Sequence, residues 1–177
     1  MRNTSRLALA GIMAALAVVI MTLVSLIPAA TFCCPVLASV LLIPVMMECG
    51  RKTAWEMYAV IAVLSLLFCS DKEAALIFAF LGYYPILKPD LDRIPSVPLR
   101  LAAKLGIFNI GAGMVYLLLA VVLHIEAFSA EYAAMGTAML IFFFLLCNLC
   151  MLVYDRALKS LAFLYVKRLR SKLLRRF

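Results

Sequence analysis

Long apolar stretches separated by short charged turns dominate the hydrophobic pattern of this chain. Residues 7–47 contain no charged side chain, and 105–125 and 132–154 form two further apolar blocks. A helix needs about 20 apolar residues to cross the hydrocarbon core of a bilayer. The 41 residues of the first stretch are therefore enough for two helices. The expected break lies between Pro28 and Pro35, since proline interrupts helical hydrogen bonding.

Two shorter apolar blocks, 57–70 and 74–87, are joined by the charged turn "SDKE". At a rise of about 1.5 Å per residue each block covers about 21 Å, which is less than a typical hydrocarbon core. Two structures fit this length. The blocks are a pair of spans whose ends extend to about residues 53 and 88, or they form a re-entrant hairpin. Both structures return the chain to the side of the membrane from which it started.

The pattern as a whole predicts an all-α, polytopic membrane protein, a bundle of six transmembrane helices in one membrane domain over residues 1–177. The expected helices cover residues 7–28, 33–49, 53–70, 73–88, 99–125 and 132–155, and residues 156–177 add a basic amphipathic tail. A cleavable signal peptide is the alternative for the first block. Its apolar core exceeds the roughly 7–15 residues typical of such signals, so we expect a retained helix.

Composition supports the membrane assignment, because 67% of the residues are hydrophobic and only 15% are charged. An ordinary soluble domain is about 45–50% apolar. A short soluble chain has a large surface for its volume and needs polar side chains to cover it. This chain has too few of them, so we expect an integral membrane protein.

The positive charge is concentrated at the C-terminus. The formal net charge is +8, and eight basic residues but no acid follow Asp155, while the remaining charges balance. A basic segment next to a membrane helix is typical of binding to anionic lipid headgroups. We therefore expect lipid, and not nucleic acid, as the partner of the tail.

The distribution of basic residues also predicts the topology. With the N-terminus inside, sixteen of the seventeen lysines and arginines fall in cytoplasmic segments, and only Lys72 falls outside. Cytoplasmic loops carry such an excess of positive charge. The sequence therefore predicts a multi-pass protein of the cell membrane with both termini in the cytoplasm.

The segment "YYPILKPDLDRIPSVPLR" is then the cytoplasmic connection between the fourth and fifth helices. Pro85 and Pro89 are expected to end the fourth helix, because a proline lacks the N–H that a helix interior uses. Pro95 and Pro98 are expected to keep the connection extended. We expect Asp90 and Asp92 to be solvated loop charges, and Arg100 and Lys104 to anchor the fifth helix by snorkelling.

Few residues are suited to catalysis. The chain has one histidine, His124, and no metalloprotease, nucleophile-elbow or phosphate-loop motif. Every acid lies near a predicted helix end, whereas a self-powered carrier usually has ionisable groups at membrane depth. We therefore expect no enzymatic activity, no cofactor and no metal site. Asn109 and Asn148 fall at similar depth on the last two helices and are expected to hydrogen-bond to each other.

Polar side chains near the outer ends of the helices are the candidates for contact with a solute, together with the charges of the turn at 71–73. The candidate solute-binding residues are Thr31, Tyr116, His124, Glu126, Tyr132 and Thr137.

The first helix carries small residues at a spacing that brings helices close together. Ala10 and Ala14 lie four residues apart, with Gly11 and Ala15 beside them. Small residues at this spacing allow another helix to approach and gain dispersion contacts. The approaching helix belongs either to this chain or to a separate subunit, and in the second case all four residues form the partner surface.

Six helices, cytoplasmic termini and the opening "TSRLALAGIMAALAVVI" with Ala10-x-x-x-Ala14 resemble the substrate-binding S components of energy-coupling factor (ECF) transporters. The resemblance implies a subunit that captures a vitamin-like micronutrient. It further implies that separate ATPase subunits supply the energy and that Ala10 and Ala14 contact a transmembrane subunit. The identity of the solute stays open. The alternative is a small membrane scaffold or assembly protein without transport activity.

Overall fold

The computed structural model describes residues 3–24, 30–117 and 137–169 of the 177-residue chain. Regular secondary structure in these residues is helical throughout, which confirms the all-α prediction. The helices are α1 (Asn3–Leu23), α2 (Cys33–Val40), α3 (Leu42–Glu48), α4 (Arg51–Phe68), α5 (Lys72–Leu81), α6 (Tyr84–Leu91), α7 (Val97–Leu117) and α8 (Thr137–Leu164). A π-helical turn, Tyr165–Leu169, follows α8.

Two of the six expected helices are interrupted, and in each case the first segment ends four residues before a proline. The second divides into α2 and α3 at Leu41, and Pro44 follows in the first turn of α3. The fourth divides into α5 and α6, and Pro85 is the second residue of α6. A proline inside a helix cannot bond to the carbonyl four residues before it and collides with it. The interruptions follow from this local chemistry.

The proline-rich connection is shorter than the sequence predicts. α6 continues through Pro89 to Leu91, so Pro85 and Pro89 lie within a helix instead of ending one, which corrects that prediction. Only residues 92–96 separate α6 from α7. Pro98 lies in the first turn of α7, where a helix does not use its N–H groups and proline is accepted.

The described residues divide into two compact units, one drawn from Met1–Asp90 and Leu158–Phe177 and the other from Leu91–Ala157. In the first unit α1 contacts α2 and α4, and α5 contacts the same two helices. Fully buried side chains of this core include Met21, Leu42, Ile61 and Phe78. Buried alanines, among them Ala17, leave room for close approach of the helices.

In the second unit, a pair of asparagines joins α7 to α8. The side-chain N–H of Asn109 donates to Asn148 Oδ1 at 3.0 Å, which confirms the predicted bond between the two helices. Each amide also donates to a carbonyl of its own helix, Leu105 O for Asn109 and Phe144 O for Asn148, both at 2.8 Å. Both amides are therefore satisfied within the unit.

Among the described residues, three helical stretches are long and apolar enough to cross a membrane: Arg6–Leu23, Lys72–Leu91 and Met139–Lys167. The last of these is only 11% buried, and large apolar side chains such as Phe142, Phe144 and Leu149 are exposed on it. Water-soluble monomers rarely expose apolar surfaces of this extent. Such a surface is suited to contact with lipid.

Candidate functional site

The small residues of α1 divide between two faces. Ala10 is buried and Ala14 is half-buried, and both pack into the core of the first unit. Gly11 and Ala15 are exposed. Of the four residues predicted to form a partner surface, Ala10 and Ala14 therefore pack within the chain itself. Gly11 and Ala15 remain accessible.

The exposed pair belongs to a longer line of small side chains, which we call the α1 stripe. At 3.6 residues per turn its members share one face of the helix. The α1 stripe consists of the exposed residues Thr4, Ala8, Gly11, Ala15 and Thr22. Leu7 is exposed on one side of it and Ile12 on the other. A Cβ built on Gly11 meets no atom within 4 Å, so the stripe is a shallow, open groove.

Only two of the six candidate solute-binding side chains belong to the described part of the chain. His124, Glu126 and Tyr132 lie outside it, as does the side chain of Tyr116. Thr137 is the first residue of α8 and is exposed. Thr31, in the first unit, donates its hydroxyl hydrogen to Asp71 Oδ2 at 2.9 Å.

The charges around Thr31 are engaged at helix ends. Asp71 caps α5, because its Oδ1 accepts hydrogen bonds from the N–H groups of Glu73 at 3.0 Å and Ala74 at 3.2 Å. Lys72 Nζ donates to the carbonyls of Leu66 at 2.8 Å and Cys69 at 3.0 Å, at the end of α4. These bonds satisfy backbone groups that the two helices leave without partners. The structure thus brings Thr31 into contact with the charged turn at residues 71–73, as the candidate solute site requires. The same hydrogen bonds also stabilise the ends of α4 and α5.

Lys104 has a role that sequence analysis missed. It is only 6% exposed, and its Nζ donates to Asp92 Oδ1 at 2.6 Å. It also donates to Asp155 Oδ1 at 3.0 Å and Oδ2 at 2.9 Å. Lys104 does not snorkel as expected, because its ammonium group is buried and such a group needs opposite charges and hydrogen-bond acceptors close by. Asp92 is exposed, as expected of a solvated loop charge, and it also pairs with this cation. We call these three residues the Lys104 cluster.

A second ion pair lies in the first unit, where Asp90 binds Arg51 at the start of α4. Asp90 was expected to be a solvated loop charge; its side chain is 41% exposed, but it lies in α6 and pairs with Arg51. Gly50, which precedes α4, has a φ angle of 95° that a residue with a side chain rarely adopts. The spacing of charges along the sequence does not predict the ion pair of Asp90 or those of the Lys104 cluster. Lys104 and Asp155, for example, are 51 residues apart.

Within the described residues, no group of three histidine, cysteine or acidic side chains is arranged to hold a metal ion. The six cysteines are free. No protein-family model, curated protein or solved structure matches this chain.

Proposed function

We propose that this chain is an integral membrane, solute-binding subunit of an ECF-type transporter for a vitamin-like micronutrient, energised by separate ATPase subunits. In this proposal the protein crosses the cell membrane six times, with both termini in the cytoplasm. Three helices of sufficient length and the distribution of basic residues support it. The basic residues after Asp155 bind anionic lipid headgroups.

The observation that carries the proposal is the exposed α1 stripe. Lipid tails are as apolar as leucine, so transmembrane helices associate mainly where small side chains let their backbones approach. Gly11 and Ala15 provide that spacing on a face that the described residues of the first unit leave open. The contact expected at Ala10 and Ala14 therefore moves by one residue, to Gly11 and Ala15.

The solute site remains a proposal for the outer ends of the helices. It consists of Thr31, Tyr116, His124, Glu126, Tyr132 and Thr137, and the hydrogen bond between Thr31 and Asp71 supports a polar environment at the first of these. Mass spectrometry of small molecules retained by the purified protein tests this part. A vitamin-like compound that is lost on Thr31→Val substitution supports the site, and an empty protein from cells rich in micronutrients contradicts it.

Co-purification with the energy-coupling module of the source organism, meaning its transmembrane subunit and ATPases, tests the role of α1. We expect the double substitution Gly11→Leu and Ala15→Leu to abolish co-purification, because two leucines fill the groove. The matched control is Gly113→Leu with Ala59→Leu, which makes the same chemical changes at exposed positions on α7 and α4. Co-purification that survives the first pair, or that is lost equally with the second, contradicts the proposed contact.

A membrane scaffold without transport activity is the second candidate. The ion pairs of Asp90 and Asp92 support it, because they order the surface around the proline-rich connection. A scaffold retains no solute and loses its partner when residues 92–96 are replaced by glycine and serine. The transporter subunit keeps its energy-coupling module after that replacement.

A further inference from the structure

The end of α8 and the π-helical turn that follows it have one buried and one exposed side. Leu158 and Tyr165 are seven residues apart and are 1% and 5% exposed, so one side of this segment packs within the chain. Lys159, Phe163 and Lys167 recur every four residues and are exposed. Side chains at that spacing share one face of a helix, and this face lies roughly opposite the buried side. We call Lys159, Phe163 and Lys167 the lysine face.

Phe163 and Lys167 contact each other on the lysine face. The Nζ atom of Lys167 lies 5.7 Å from the centroid of the Phe163 ring, which is a cation–π distance. The Phe163 side chain is 64% exposed, so most of the ring remains accessible beside the two lysines. An apolar ring among cations is typical of helices that lie at the boundary between lipid headgroups and acyl chains.

The positive charge of the lysine face is not offset by acids in the sequence around it. No acid follows Asp155, and Lys159 comes four residues after it, close to the end of the apolar block 132–154. Lys52, an exposed lysine of α4, has the exposed acid Glu56 one turn away. Opposite charges at that spacing attract each other and reduce the local potential. The lysine face is therefore better suited than Lys52 to bind an anion near the membrane.

We propose that the lysine face binds anionic phospholipids of the inner leaflet. Lys159 and Lys167 pair with the headgroup phosphates, and the ring of Phe163 lies against the glycerol and the upper part of the acyl chains. Leu164 and Val166, 44% and 46% exposed, add apolar surface beside the face, which favours lipid over an acidic protein as its partner. This inference rests on the proposed membrane topology, and it assigns to one helix face a lipid contact that the sequence attributes to the whole basic tail.

Native mass spectrometry of the full chain in detergent tests the lysine face. The probes are phosphatidylglycerol and phosphatidylcholine with identical acyl chains. The unmodified chain should retain more phosphatidylglycerol, because only this lipid carries a net negative charge. Lys159→Gln and Lys167→Gln should each lower the affinity for phosphatidylglycerol about fivefold and leave phosphatidylcholine unchanged. Lys159→Arg and Lys167→Arg should retain it, because arginine keeps the charge.

Two further variants separate the lysine face from general effects of charge and apolar surface. Lys52→Gln is the matched control and should change the retention of phosphatidylglycerol less than twofold. Phe163→Ala should weaken both lipids in the same proportion, because the ring contacts parts that the two lipids share. An excess of glycerol 3-phosphate should not displace phosphatidylglycerol, because it has the phosphate without the acyl chains.

Three outcomes would overturn the inference in ways that can be told apart. A preference for phosphatidylglycerol that survives both glutamine substitutions, or that falls equally with Lys52→Gln, removes the lysine face and leaves lipid binding to the rest of the tail. Equal retention of the two lipids by the unmodified chain removes the lipid contact of the tail as well. Displacement by glycerol 3-phosphate, or loss of a co-purified protein without loss of lipid, assigns the face to another ligand.

Discussion

The side chains of Asn109 and Asn148 form a reciprocal pair across α7 and α8. Asn109 donates to Asn148 at 3.0 Å, and the return bond from Asn148 to Asn109 Oδ1 measures 3.5 Å. An amide without a hydrogen-bond partner is costly in an apolar environment. The two helices are therefore held in the alignment that keeps the two amides within hydrogen-bonding distance. The contact was predictable from the sequence, because the two asparagines fall at a similar predicted depth on the last two helices.

A single substitution in this pair should lower the free energy of unfolding by more than half of the loss caused by substituting both residues. Asn109→Leu or Asn148→Leu alone leaves the other amide without its partner and should lower the free energy of unfolding by about 1 kcal/mol. The double leucine variant removes both polar groups, so it should lose less than the sum of the single losses. Unfolding in mixed micelles measures the three values. Strictly additive losses would contradict the coupling.

Substitutions in the Lys104 cluster should follow a defined order of stability. Lys104→Met removes the cation that Asp92 and Asp155 share, leaves two carboxylates facing each other and should cost about 2–3 kcal/mol. Asp92→Asn removes one partly exposed partner and should cost less than about 1 kcal/mol. Thermal unfolding in detergent measures both.

The control for this order is Lys159→Met, which makes the same change at an exposed position of α8. It should leave the unfolding temperature unchanged. Equal losses for Lys104→Met and Lys159→Met would mean that burial of the lysine has no energetic consequence.

Gly82 should be far less tolerant of a side chain than Gly106. A Cβ on Gly82, at the junction of α5 and α6, would lie 2.7 Å from the Phe78 carbonyl oxygen and 3.1 Å from the Tyr58 ring. Gly82→Ala should therefore cost about 1–3 kcal/mol through overpacking. A Cβ on Gly106 meets nothing within 4 Å, so Gly106→Ala should be neutral or stabilising by up to about 1 kcal/mol. The reverse order in thermal unfolding would refute this packing.

The proposed topology predicts opposite labelling of two exposed positions, Glu73 and Arg93. In a variant without the native cysteines, Glu73→Cys should react with a membrane-impermeant maleimide on intact cells, because the turn between α4 and α5 faces outward. Arg93→Cys should react only after the membrane is permeabilised. Labelling of Arg93→Cys alone on intact cells would place the termini outside.

The sequence by itself determined the helical architecture. Apolar blocks near the length of a bilayer leave backbone groups no partners except those within a helix, so helices follow wherever such blocks occur. The prolines determined where two of these helices break, although their positions within α3 and α6 became evident only in the structure. The pair Asn109–Asn148 was predictable because few other polar side chains lie in the interiors of those two helices.

The tertiary structure alone decided which face of α1 is buried and which acids bind Lys104. From Leu7 to Leu23, α1 has only apolar or small side chains, so its pattern does not distinguish the side that packs on the first unit, with Ala10, from the exposed side, with Gly11. The bond from Lys104 to Asp155 joins residues far apart in sequence, and only the packing of α7 and α8 brings them within 3 Å. Burial and charge pairing depend on what neighbouring helices cover, and local sequence does not contain that information.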